Sequence, residues 1–176
     1  MSVKKLFICI ILLSIGHVLS AKIAYDKILE LYNPNTEKGL IYIDKQEMTL
    51  SLYNNNGELL KEYPMACGLN KGPKIKSGDM KTPEGVFTVQ EVTDASTWGH
   101  DFHDGKGFIR HAYGPWFIRL STGKFKGIGI HGTHAPESIG TRATEGCIRL
   151  KNENLADLKP LVNIGMAVVI GPESDY

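Results

Sequence analysis

Cysteine is scarce in this chain, with Cys9, Cys67 and Cys147 the three examples in 176 residues. That is too few for the disulfide framework by which small exported domains make up for a thin core. Long apolar runs are missing as well. The best, Leu6 to Leu19, is interrupted by Ser14, Gly16 and His17 and falls short of the about 20 residues a membrane helix needs. Neither sign of charge dominates. With Lys4 and Lys5 set aside, 18 basic residues face 19 acidic ones, so the sequence carries no nucleic-acid footprint. There is no internal repeat and no low-complexity segment.

What is present begins with a leader. Lys4 and Lys5 precede the apolar stretch, and the small residues Ser20 and Ala21 follow it, which is the layout of a secretory signal peptide over 1–20. Export to the periplasm or cell wall is therefore expected. A membrane enters the picture only if the leader stays uncleaved, and cleavage removes Cys9. The remaining 156 residues suffice for one ordinary core. The expected layout is an N-terminal helix or tether over 21–37, one folded domain over 38–171 and a tail over 172–176.

Residues 40–43, 48–53 and 58–66 read as three strands, the last two joined by the turn chemistry of Asn54-Asn55-Asn56-Gly57. Residues 68–81 hold too few apolar side chains for a core element and read as a loop. Strands follow at 86–92, 116–120 and 127–130. Between the first two of these, residues 93–114 form a long loop, and loops of that length in small domains are commonly lids. Leu155, Leu158, Leu161 and Val162 share a helical face after Asn152, which predicts a helix near 153–162 capped by Asn152. Residues 166–170 close the chain as a buried strand, so the fold class is mostly β.

The chemistry concentrates in Ile130-His131-Gly132-Thr133 and Thr144-Glu145-Gly146-Cys147-Ile148-Arg149. A thiolate is the attacking form of cysteine and is sparse near neutrality, so a neighbouring imidazole supplies the missing basicity. Gly146 clears space for a substrate carbonyl and permits a turn that can aim N–H groups at an oxyanion. Arg149 offers a planar fork for a carboxylate or, as the plainer alternative, braces a loop. Cys67, at the end of a strand-like segment, reads as a packing thiol, although a bridge to Cys147 stays open on cysteine count alone. His100, His103 and His111 invite a metal reading, but no further ligand set stands at a recognisable spacing.

These motifs resemble the L,D-transpeptidases with a YkuD-type catalytic domain. The family signature, His-Gly-Thr followed by Ser/Thr-x-Gly-Cys-Ile/Val-Arg, is matched by His131-Gly132-Thr133 and Thr144 to Arg149. Thr82-Pro83-Glu84-Gly85-Val86-Phe87 and Tyr113-Gly114-Pro115-Trp116-Phe117 also look like family segments. The resemblance implies a twisted β-sandwich or barrel, and it implies that Cys147 attacks the carbonyl of the third residue of a peptidoglycan tetrapeptide stem. D-Ala leaves, and the acyl group passes from a thioester to an amine on another stem or on a wall-anchored protein. His131 is then the base, oriented by the main-chain oxygen of Gly132, with Gly146 beside the nucleophile. Arg149, Thr144, Thr133, Tyr113 and Trp116 become candidate substrate contacts, and neither metal nor cofactor is required. Hydrolysis of the same thioester, as an L,D-carboxypeptidase or a hydrolase releasing wall-linked protein, is the near alternative. A noncatalytic wall-binding module is the distant one.

Overall fold

The computed structural model of the protein describes residues 19–102, 105 and 107–173, and the structural statements below concern those residues. Most of the expected leader lies outside them. A helix, α1, covers 19–32 and runs through Ser20 and Ala21, where the leader was expected to end.

Twelve strands follow: β1 (Leu40–Asp44), β2 (Thr49–Tyr53), β3 (Leu59–Pro64), β4 (Cys67–Gly68), β5 (Gly85–Asp94), β6 (His100–Asp101), β7 (Phe108–Ile109), β8 (Trp116–Leu120), β9 (Gly129–His131), β10 (Arg142–Thr144), β11 (Ile148–Arg149) and β12 (Ala167–Ile170). Eight of them form one curled sheet in the order β11-β9-β8-β5-β12-β1-β2-β3. The chain after β3 returns to the opposite edge, where Ala66 and Arg149 exchange two backbone hydrogen bonds of 2.8 Å. The two ends of the sheet are thereby tied together.

Burial explains why β1 and β12 are almost continuously apolar, since strands covered on both faces lose the polar alternation of half-exposed ones such as β5. Ile41, Ile43, Leu50, Leu52, Val168 and Ile170 enter the main core, whereas Leu40, Tyr53, Ala167 and Val169 face a second cluster built with Tyr25 and Ile28 of α1. The N-terminal helix thus has a readable task, covering the outer face of β12, β1 and β2.

The second helix is shorter than its sequence pattern suggested. α2 spans Asn152–Leu158, and a 3₁₀ turn, Lys159–Leu161, completes the stretch because Pro160 has no N–H for a continued α-helical ladder. Leu155 and Leu158 are fully buried. Asn152 does not cap this helix: Lys151 stands at the N-cap, and the Asn152 side chain turns away to bind Thr133.

The long segment after β5 is not structureless, since β6 and β7 pair as a small antiparallel hairpin. The loop over 68–81 is organised by a nearly buried carboxylate. Asp79 takes Lys74 Nζ at 2.7 Å and the N–H groups of Ile75, Lys76 and Lys81 at 2.8, 3.0 and 3.1 Å. Burial works against its charge, yet Lys74 and the three backbone donors hold the carboxyl well below the usual range.

Candidate active site

Sheet register brings the signature residues together. β9 and β11 are parallel, with Ile130 opposite Ile148 and His131 opposite Arg149. One step earlier Cys147 comes level with Gly129, so alternate positions 129, 131, 147 and 149 project from the same face. The ring at 131 and the sulfur at 147 therefore share one surface of the sheet edge.

His131 is buried, and its Nδ1–H donates to the Gly132 carbonyl at 2.7 Å. That bond fixes the tautomer and leaves Nε2 as the basic nitrogen. Phe117, opposite in register on β8, stacks on the imidazole at 5.7 Å and 7°, and Tyr113 meets it edge-on at 4.9 Å. Burial between aromatic rings pushes the imidazole down to about 3, more than the Gly132 carbonyl can restore, so the ring is neutral near pH 7.

Cys147 is a free, partly exposed thiol whose Sγ–H donates to the Gly127 carbonyl at 3.4 Å. Burial pushes it up to about 11; the Gly129 N–H opposes that shift, and the Glu145 carboxylate adds to it. Near neutrality the thiol therefore keeps its proton in nearly every molecule. The resting site is a neutral thiol beside a neutral imidazole, so a proton must move to the ring as the sulfur attacks.

The turn carrying the sulfur is built by Thr144. Its hydroxyl donates to the Cys147 carbonyl at 2.7 Å and accepts the Gly146 N–H at 3.1 Å. The Gly146 amide is therefore engaged within the turn. Gly146 is required for shape: its φ is +130°, and a Cβ would sit 2.6 Å from the Lys81 carbonyl oxygen.

Gly132 is needed for a different reason. A Cβ there would lie 2.1 Å from Asn152 Oδ1 and 3.1 Å from Gly114 Cα. Asn152 Oδ1 accepts the Thr133 N–H at 2.8 Å, and its Nδ2–H donates to the Thr133 carbonyl at 3.0 Å. This clamp fixes the peptide whose carbonyl orients His131. Thr133 is buried, and its hydroxyl accepts the Ala135 N–H at 2.8 Å.

Two cavities are lined by residues that neighbour Cys147 in sequence or in contact, although the sulfur itself lines neither. One, about 350 Å³, is lined by Thr144, Glu145, Arg149, Phe102 and His134, among others. The other, about 480 Å³, is lined by Trp98, Gly99, Tyr113, Phe117, Arg119 and Gly127. Arg149 is 4% exposed, donates from Nη1 to Ser138 Oγ at 2.9 Å and lies 5.9 Å from the Phe102 ring. It both braces the 136–142 connection and contributes to a cavity wall. Trp116 lines neither cavity; it packs against the main core beneath Lys159 Nζ at 4.5 Å. Of the loop histidines, His100 contacts Glu145 at 3.2 Å, His111 bonds the Ser96 carbonyl, and His103 lies outside the described residues.

The family model for the L,D-transpeptidase catalytic domain, YkuD, matches residues 38–170. The YkuD protein of Bacillus licheniformis is 33% identical over 140 residues, covering 80% of this chain and 70% of its own length. The chain belongs to the YkuD L,D-transpeptidase family. Solved L,D-transpeptidases share the fold. The catalytic domain from E. faecium matches with a TM-score of 0.56 at 21% identity, covering 77% of this chain and 98% of that one. L,D-transpeptidase 3 from Mycobacterium tuberculosis, in complex with a faropenem-derived adduct, matches with a TM-score of 0.57 at 17% identity. That match covers 76% of this chain and 60% of the mycobacterial one, so the present chain spans less than two thirds of it.

Sequence reading of this chain missed Asn152 as the clamp on the His131 turn and Glu145 as the residue that meets the loop hairpin. Asn152 stands 19 residues beyond Thr133 and sits where a helix cap is expected, so local pattern pointed elsewhere. Glu145 occupies the variable position of its motif, where no residue type draws notice.

Proposed function

We propose that the chain is a peptidoglycan L,D-transpeptidase in which Cys147 is the nucleophile and His131 the base. The observation that carries this reading is the His131 Nδ1–H bound to the Gly132 carbonyl. It commits Nε2 to accepting a proton, on the face of the sheet that also bears Cys147. In the first half-reaction Sγ attacks the carbonyl carbon of the third residue of a tetrapeptide stem while its proton moves to Nε2. The tetrahedral oxyanion collapses, the bond to D-Ala breaks, and the imidazolium returns its proton to the departing amine. Because the Gly146 amide is engaged by Thr144, the Cys147 N–H is the backbone donor assigned to the oxyanion, a contribution worth about 3 kcal/mol.

In the second half-reaction an amine from another stem, or from a wall-anchored protein, attacks the thioester and forms the L,D amide. Arg149 and Thr144, with Tyr113 on the other side of the sulfur, form the walls along which the stems lie. The work is placed outside the cytoplasmic membrane, where peptidoglycan is. Incubating the purified protein with disaccharide-tetrapeptide and weighing the products tests the proposal. A cross-linked dimer with released D-Ala is expected. Tripeptide alone would assign an L,D-carboxypeptidase, and unchanged substrate would leave the wall-binding module.

A further inference from the structure

Resting on the acyl-transfer reading above, we propose that Glu145 recognises the acceptor: its carboxylate draws the protonated amine of the second substrate to the thioester on Cys147. Glu145 lies two residues before Cys147 and helps line the 350 Å³ cavity, together with Thr144 and Arg149, the residues that bracket the nucleophile in sequence. Its side chain is 42% exposed, so it is open to an incoming group, and His100 Nε2 lies 3.2 Å from Oε2 and steadies it from the β6–β7 hairpin. The cavity carries Glu137 as well, further along the chain from the nucleophile, and the two charged residues that bracket Cys147 differ in availability. Arg149 is buried with Nη1 on Ser138, whereas the Glu145 side chain is partly exposed.

The first half-reaction gains nothing from this carboxylate, because a negative charge beside the sulfur opposes thiolate formation, and it acts here in the same sense as burial. The second half-reaction does gain. A primary amine is a cation near neutrality, while the competing nucleophile, water, is neutral. The Glu145 charge acts on both Cys147 and Tyr113, raising each of them. The ammonium loses one proton to water and the nitrogen bonds to the thioester carbonyl carbon. As the C–S bond breaks, the second nitrogen-bound proton passes by way of His131 Nε2 to the departing sulfur.

The test uses the full chain and its Glu145→Gln and Glu145→Asp variants. Disaccharide-tetrapeptide serves as donor, and isotopically labelled tripeptide, which accepts but cannot donate, is titrated in. The ratio of labelled dimer to unlabelled tripeptide reports the fate of the thioester and cancels changes in its formation. With limiting acceptor the ratio falls about tenfold in Glu145→Gln, recovers as acceptor is raised, and is partly restored in Glu145→Asp. A ratio equal to wild type overturns the inference, as does slower D-Ala release at an unchanged ratio, which would assign the carboxylate to the donor. Wild-type protein that releases D-Ala but forms no dimer overturns this inference alone. Wild-type protein that releases no D-Ala overturns the transfer reading with it.

Discussion

The two described thiols, Cys67 and Cys147, occupy neighbouring parts of the fold and differ in what surrounds them. Cys67 is fully buried in β4, its sulfur 3.7 Å from Met48 Sδ, and burial raises its thiol despite Arg142 and Lys45 nearby. Cys147 is also raised by burial, yet it is partly exposed and shares a sheet face with an imidazole of fixed tautomer. Ionisation at rest therefore does not distinguish them. The difference is access, and a base able to take the proton during attack.

Replacing His131 sharpens that contrast most. His131→Gln is expected to slow acylation of Cys147 by a penem or carbapenem by about 10²–10⁴-fold, measured as the rate of adduct formation by intact mass. The rate at which Cys67 reacts with a small alkylating agent in denaturant serves as the unchanged control.

A smaller effect is expected in stability against pH. The unfolded His131 takes up a proton below its ordinary 6.5, whereas the folded ring resists to about 3, so stability is lost as pH falls through that interval. Cys147 works in the other direction, keeping its proton to about 11 when folded but releasing it near 9.0 when unfolded, so stability is lost as pH rises through that interval. Denaturation midpoints measured across pH should therefore fall on both sides of a neutral plateau, and Cys147→Ala should make the alkaline decline shallower. An alkaline limb identical in that variant would mean that Cys67 and the tyrosines account for it.

Much of this was legible from the chain. Strands such as 40–43 and 166–170 announced themselves because burial on both faces demands unbroken apolar runs, and the Asn54 to Gly57 turn carries its own chemistry. The signature residues were visible because a strand end and a tight glycine turn restrict residue type so strongly. What sequence could not show is long-range geometry. The Asn152 clamp, the edge-to-edge tie between Ala66 and Arg149, and the engagement of the Gly146 amide by Thr144 depend on which distant segments meet. The role of α1 was hidden for the same reason, since an outer sheet face needing cover exists only after the sheet has curled.

The most direct test of the account is to map the adduct left by a penem such as faropenem on the intact protein, using peptide digestion and mass spectrometry. The account predicts one acyl group, on the peptide containing Cys147, retained in Cys67→Ala and absent in Cys147→Ala. An adduct on the Cys67 peptide, or labelling that persists in Cys147→Ala, would contradict it.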